Sequence, residues 1–253
     1  MKTRILTIGI ALFMFSHLAF SQSKDTTKAP KVTFKATTDV VSSYIWRGTI
    51  ASPNPNIQPT LAIDAGGLEV GVWGSTDFLG SYKEVDPYIS YTLKTFKATF
   101  TDYDWNFKSP TTGNPISYFD YKNKTTGHIF EGSIAFLGTE KFPLSIAINT
   151  MIYGNDKKFS KTLGAQDSSK QNYSTYIELG YTFKQFSVLL GVTPSDGYYG
   201  DGYGKVGGFS VCNIGISSSR NIKFSKDFEM PLKASLFINP QAENIFFVLG
   251  ITL

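Results

Sequence analysis

From Val32 onward, apolar and polar residues alternate with a period of two along almost the whole chain. In the first such segment Val32, Phe34, Ala36, Val40, Tyr44 and Trp46 alternate with Thr33, Lys35, Thr37, Asp39, Ser43 and Arg47. Successive side chains of a strand point to opposite faces, so this spacing predicts a strand with one apolar and one polar face. The pattern recurs over 57–63, 68–72, 85–93, 96–100, 144–152, 177–183, 186–192, 232–238 and 245–253. Two weaker segments, around 127–137 and 206–224, complete a set of about twelve strands; strands that cross a bilayer need about 9–11 residues.

The connections carry a second pattern. Those after every even-numbered strand are short: Gly66-Gly67, Lys94-Thr95, 138–141, Lys184-Gln185 and a few residues at 226–229. The long ones, 108–124, 155–171 and 195–205, all follow odd-numbered strands and so fall on one end of the sheet. Outer-membrane barrels have an even number of strands, short periplasmic turns and longer outer loops. The predicted fold is therefore all-β: a transmembrane antiparallel β-barrel of about twelve strands, with periplasmic termini and outward long loops.

Aromatic residues make up 15% of the chain. Tyr91, Phe96, Tyr181, Phe183 and Phe186 fall near the short-turn end and Tyr44, Trp46 and Phe78 near the long-loop end, where interfacial girdles are expected. The N-terminus carries Lys2 and Arg4, an apolar run over 5–15, and Ala19-Phe20-Ser21 before Gln22. That is the layout of a cleaved signal peptide over 1–21, followed by a polar leader at 22–31 and the barrel at 32–253. Cleavage leaves 22 basic against 20 acidic side chains, a balance of +2 with no basic stripe, which argues against nucleic acid. The expected partners are outer-membrane lipid, the assembly machinery that reads the last strand, and small polar solutes; Leu253 stands where such strands usually end on an aromatic residue.

One stretch resembles a known family. The residues are Asp39-Val40-Val41-Ser42-Ser43-Tyr44-Ile45-Trp46-Arg47-Gly48, then Asn56-Ile57-Gln58-Pro59, Gly71-Val72-Trp73-Gly74-Ser75 and Glu84-Val85-Asp86-Pro87-Tyr88. This series is similar to the TorF family of porins, whose members carry Ser-x-Tyr-x-(Trp/Phe)-Arg-Gly and a later Glu-x-Asp-x-Tyr. The resemblance covers about residues 37–105. It implies an outer-membrane barrel with a transport role and brings no catalytic residue.

If the apolar faces meet lipid, the polar faces line the lumen. Asp39, Arg47, Asp64, Glu69, Asp77, Glu84 and Asp86 then point inward, as do Lys97, Glu131, Glu178, Lys184 and Lys233. The first third of the wall is mostly acidic, with Arg47 as its one cation. Arg47, Gln58, Glu69, Glu84, Asp86 and Glu178 are the candidate pore-lining residues. A guanidinium matches carboxylate geometry, so Arg47 is expected to pair with Glu84 or Asp86. Charges facing across a constriction would orient and select a polar solute; the same charges could also simply pair within a packed lumen. Trp73 also faces inward, as a stacking platform or as filler.

Catalysis has little basis. Beyond the leader there is one His, His128, at an outward or rim position, with no evident group to orient it. One His and the single Cys212 build no usual metal site, and no cofactor is implied. Cys212 reads as a small packing residue. Asp196 and Asp201, among the glycines of 195–205, lack calcium-loop spacing and read as part of a flexible, Tyr-rich outer loop. The expected function is a porin-like channel for small polar solutes. The alternative is a non-conducting barrel that binds a surface ligand through its long loops.

Overall fold

A computed structural model describes residues 32–105, 116–160, 165–195, 197–199, 208–223, 225 and 229–253. The expected signal peptide over 1–21 and leader over 22–31, and Asp196 and Asp201, lie outside them. The described residues form sixteen strands: β1 (Val32–Val41), β2 (Tyr44–Trp46), β3 (Thr49–Ser52), β4 (Asn56–Ala65), β5 (Leu68–Asp77), β6 (Lys83–Leu93), β7 (Phe96–Tyr103), β8 (Ile129–Phe136), β9 (Leu144–Gly154), β10 (Lys157–Ser160), β11 (Ala165–Gln171), β12 (Thr175–Thr182), β13 (Ser187–Thr193), β14 (Ser210–Lys223), β15 (Glu229–Asn239) and β16 (Asn244–Thr252). Twelve of them close a barrel in the order β1-β16-β15-β14-β13-β12-β9-β8-β7-β6-β5-β4; β2–β3 and β10–β11 are separate two-stranded hairpins.

Every barrel neighbour is antiparallel. The β1–β4 ladder runs without a break from Val32 opposite Ala65 to Val41 opposite Asn56. The seam is β1 against β16, with Asp39 opposite Thr252, whose hydroxyl donates to the Asp39 carboxylate at 2.5 Å. Closure pairs the strand edges that a spanning sheet cannot leave open in lipid.

The period-two reading holds along the barrel strands, and the faces are inverted relative to a soluble protein. Among the described residues only seven hydrophobic side chains are buried, against twenty-two polar or charged ones. Ile63, Val70, Ile89, Phe100, Ile134, Ile148 and Leu249 all stand exposed on the outer wall. A polar interior under an apolar exterior is the arrangement of a membrane-spanning barrel. At the short-turn end Tyr181 and Phe183 lie 4.6 Å apart, and Phe183 stacks on Phe186 at 4.6 Å. These rings form an outward-facing aromatic cluster at the end where a girdle is expected. The tight turn at Gly66-Gly67 has φ of 64° and 93°, which matches a two-residue turn of the hand that suits twisted strands.

The first segment departs from expectation. The alternation from Val32 to Trp46 reads as one strand, but β1 ends at Val41 and the chain bends at Ser42-Ser43 into the β2–β3 hairpin. Tyr44 and Trp46 are therefore not girdle residues. Two serines preserve the period across the bend, so periodicity alone could not see it.

Candidate lumen site

The β2–β3 hairpin folds into the barrel. Tyr44 packs against inward-facing Trp73 of β5 at 5.5 Å, so Trp73 serves as filler and support for the plug. Trp46 packs against Tyr103 of β7 and Tyr199 of the β13–β14 loop, both at 5.6 Å. The tip reaches the wall at β14 and β15, where the Gly48 carbonyl accepts from Asn239 Nδ2 at 3.1 Å. Gly48 has a φ of 80°, and a Cβ there would overlap the Cys212 carbonyl. Both demands select glycine. Arg47 precedes it with a φ of 49°, uncommon for a residue with a side chain, and is held there by what its guanidinium grips.

That partner is Glu131 on β8. Arg47 Nη1 donates to Glu131 Oε2 at 2.6 Å and Nη2 to Oε1 at 2.8 Å, a bidentate pair. The side chains are 12% and 1% exposed. Tyr103 and Ser133 donate to Oε1 at 3.1 and 3.2 Å, and Tyr199 to Oε2 at 3.2 Å. Arg47 also donates to the Tyr199 hydroxyl. Its guanidinium carbon lies 4.6 Å from the Trp46 ring centroid and 4.9 Å from that of Tyr176. The carboxylate is thus saturated and the cation enclosed by rings, the conditions under which a buried ion pair persists.

Arg47 does not pair with Glu84 or Asp86. The turn carries it across the lumen to β8, while Glu84 and Asp86 stay on β6. There Glu84 accepts from Tyr82 at 2.6 Å, and Asp86 accepts from the Asp104 amide at 3.2 Å. Nor is Arg47 the one cation of the first third. Lys35 of β1 also faces inward, 2.6 Å from Glu69 and 3.5 Å from Asp64, and Tyr88 donates to Glu69 at 3.0 Å. Asp77 lies at the rim, where it caps the β5–β6 turn by accepting from the Ser81 and Tyr82 amides at 2.7 and 3.1 Å.

Cavities also lie along the barrel wall below the hairpin. One, of about 270 Å³, is bordered by Gln58, Asp39, Lys233, Ser235 and Phe237. Another, of about 160 Å³, is bordered by Glu178, Ser145, Ser187, Ser217 and again Phe237. Glu178 accepts from Tyr176 at 2.7 Å. The six predicted residues are thus spread over several levels of the lumen and form no single cluster. The sequence reading missed Glu131 as the key partner, and with it Tyr103, Trp105, Tyr198 and Tyr199. Tyr198 and Tyr199 belong to the loop expected to be flexible and outer, yet Tyr199 is 3% exposed and packed in the plug. The repeated Tyr in 195–205 was the available signal.

His128 sits on the outer side at the loop end. Contrary to expectation it is oriented: Asp102 lies 2.7 Å from Nδ1. Its Nε2 donates to the Tyr118 carbonyl at 2.6 Å, and Tyr121 packs on the ring at 4.6 Å. The second nitrogen therefore anchors the 116–128 segment to the wall, with a backbone carbonyl as its partner among the described residues. Cys212 is buried and free, with Sγ against the Gly191 carbonyl at 3.7 Å, as a packing residue should be. Among the described residues, no group of His, Cys, Asp and Glu is arranged to hold a metal.

No protein-family model matches the chain, and no curated protein matches it. Among solved structures it is similar to an outer membrane channel from Pseudomonas putida F1, at 14% identity and a TM-score of 0.39, over 91% of this chain and 98% of the other.

Proposed function

We propose that the protein is a porin-like channel of the Gram-negative outer membrane, exported by the signal peptide over 1–21 and passing small polar solutes by diffusion. One observation carries this reading. The barrel interior is lined by charged and polar side chains and plugged by a hairpin attached at one side, rather than filled by an apolar core. A barrel with only a structural role has no need of so many buried charges, which cost free energy unless paired or wetted. The hairpin with Arg47 narrows the path, and the charges of Lys35, Glu69, Glu178 and Lys233 border the wider levels. Selection would act at such a constriction by charge and size. The TorF resemblance of residues 37–105 falls on this same hairpin and the strands around it.

The packed contact of Trp46 with Tyr103 and Tyr199 favours the second reading, a closed barrel that works through its loops. Single-channel conductance in a planar bilayer separates the two. Discrete steps from the wild type, altered in size or selectivity by Arg47→Ala and Glu84→Ala, are expected for a channel. Absence of conductance from protein verified as folded overturns it in favour of loop binding.

A further inference from the structure

At the long-loop mouth a cavity of about 180 Å³ opens beside the plug. Its wall is aromatic: Tyr44 and Trp46 from the hairpin, Tyr82 from the β5–β6 turn, Trp105 after β7 and Tyr198 from the β13–β14 loop. The rings brace one another, with centroids at 5.8 Å for Tyr44–Tyr82, 5.6 Å for Trp46–Trp105 and 5.8 Å for Trp105–Tyr198. Glu84 closes the cavity and is 3% exposed.

The charges around this space do not balance. Among the described residues the ion pairs join Lys35 to Asp64 and Glu69, Arg47 to Glu131 and Lys170 to Asp167, and His128 faces Asp102. None reaches Glu84, or Asp86 next to it on the same face of β6. Arg47 touches the Trp46 ring, but its charge is already taken by both Glu131 oxygens. Glu84 accepts from the Tyr82 hydroxyl at 2.6 Å, but a carboxyl pair enclosed by rings with no cation opposite among the described residues favours a positive ligand.

The wall decides which kind. Hard metal cations need six or more oxygen ligands, or retain their water, and this wall offers mainly ring faces. Anions meet the carboxylate and are repelled. A neutral sugar could stack on the indoles but would leave the carboxylate uncompensated. Ring faces carry negative quadrupole charge and attract alkylated ammonium groups, which are weakly hydrated. Space for several water volumes suits a small head group.

We infer that this aromatic cage with Glu84 at its base binds a small organic cation of the alkylammonium class as it enters from outside. The inference rests on the channel reading only for the route onward; binding itself needs no conduction. The test is therefore binding. Folded full-length protein in detergent is titrated with tetramethylammonium chloride, with sodium chloride and glucose as comparisons, and its tryptophan fluorescence is followed. The expected result is a saturable change with tetramethylammonium alone, weakened at least about tenfold in Glu84→Gln, which keeps the shape, and in Trp105→Leu, which removes one ring. Folding of each variant is checked by the heat-dependent shift in gel mobility. A flat wild-type titration, an unchanged affinity in folded Glu84→Gln, or saturation by glucose instead overturns the site. Binding without conductance would leave the cage standing and remove the channel.

Discussion

At the scale of single residues, the interior is governed by one ion pair. Arg47 and Glu131 are nearly sealed from water, and each depends on the other for its charge. Arg47→Ala would strand the carboxylate, so a loss of about 3–5 kcal/mol is expected in guanidinium unfolding from lipid vesicles. Adding Glu131→Gln should recover part of that loss, because the pair is one unit and the two effects are not additive. His128 makes a contrasting case. His128→Ala removes the partner of the Tyr118 carbonyl and of Asp102, and should cost about 1–3 kcal/mol while leaving conductance unchanged. A lost conductance would mean that His128 acts on the path and not only on the wall. The inward direction of these charges was legible, since it follows from parity along a strand. Their pairing was not. Arg47 and Glu131 are 84 positions apart, and only the reach of the hairpin decides which carboxylate the guanidinium meets.

At the scale of elements, the barrel strands were readable and the inserted hairpin was not. A strand announces itself by alternation, and a bend that preserves the alternation is silent. The hint was Arg47-Gly48, a pair at a two-residue turn, although Asn or Asp is the usual first residue there. Gly48→Ala tests how far that tip matters. Its Cβ has no room beside Cys212 and its φ of 80° disfavours any side chain, so the hairpin should undock. The expected outcome is a larger or noisier conductance step with the barrel intact by gel mobility. The 116–128 segment should respond to pH. Asp120 accepts from the Thr125 hydroxyl at 2.7 Å and the Lys122 amide at 3.2 Å, and these bonds hold its carboxyl below the usual range. A depressed value means the carboxylate supports the fold above the ordinary carboxylate pKa, and the support is lost as pH falls through the lowered one. Amide exchange in 116–128 should therefore accelerate, beyond its intrinsic pH dependence, on acidification through that range. Asp120→Asn should abolish that extra dependence.

At the scale of the whole molecule, the inverted distribution of polarity makes neighbouring residues answer to different solvents. Ile148 and Ala147 are consecutive in β9. Ile148 points outward, 49% exposed in the bare chain, midway along its strand and paired with Ile134 and Ile177. Ala147 points inward and lies opposite Glu178. An arginine at 148 would have to carry its charge into the hydrocarbon near mid-depth, at an expected cost of about 2–4 kcal/mol in vesicle unfolding. The same arginine at 147 would stand beside a carboxylate that borders a 160 Å³ cavity. It should cost far less and instead shift ion selectivity toward anions, because it neutralises Glu178 at that level of the lumen. A soluble sandwich would order the two differently: the outward substitution would be nearly free and the inward one severe. Comparable losses at both positions would show that lipid is not the solvent of the outer face, and with it the membrane placement of the barrel would fail.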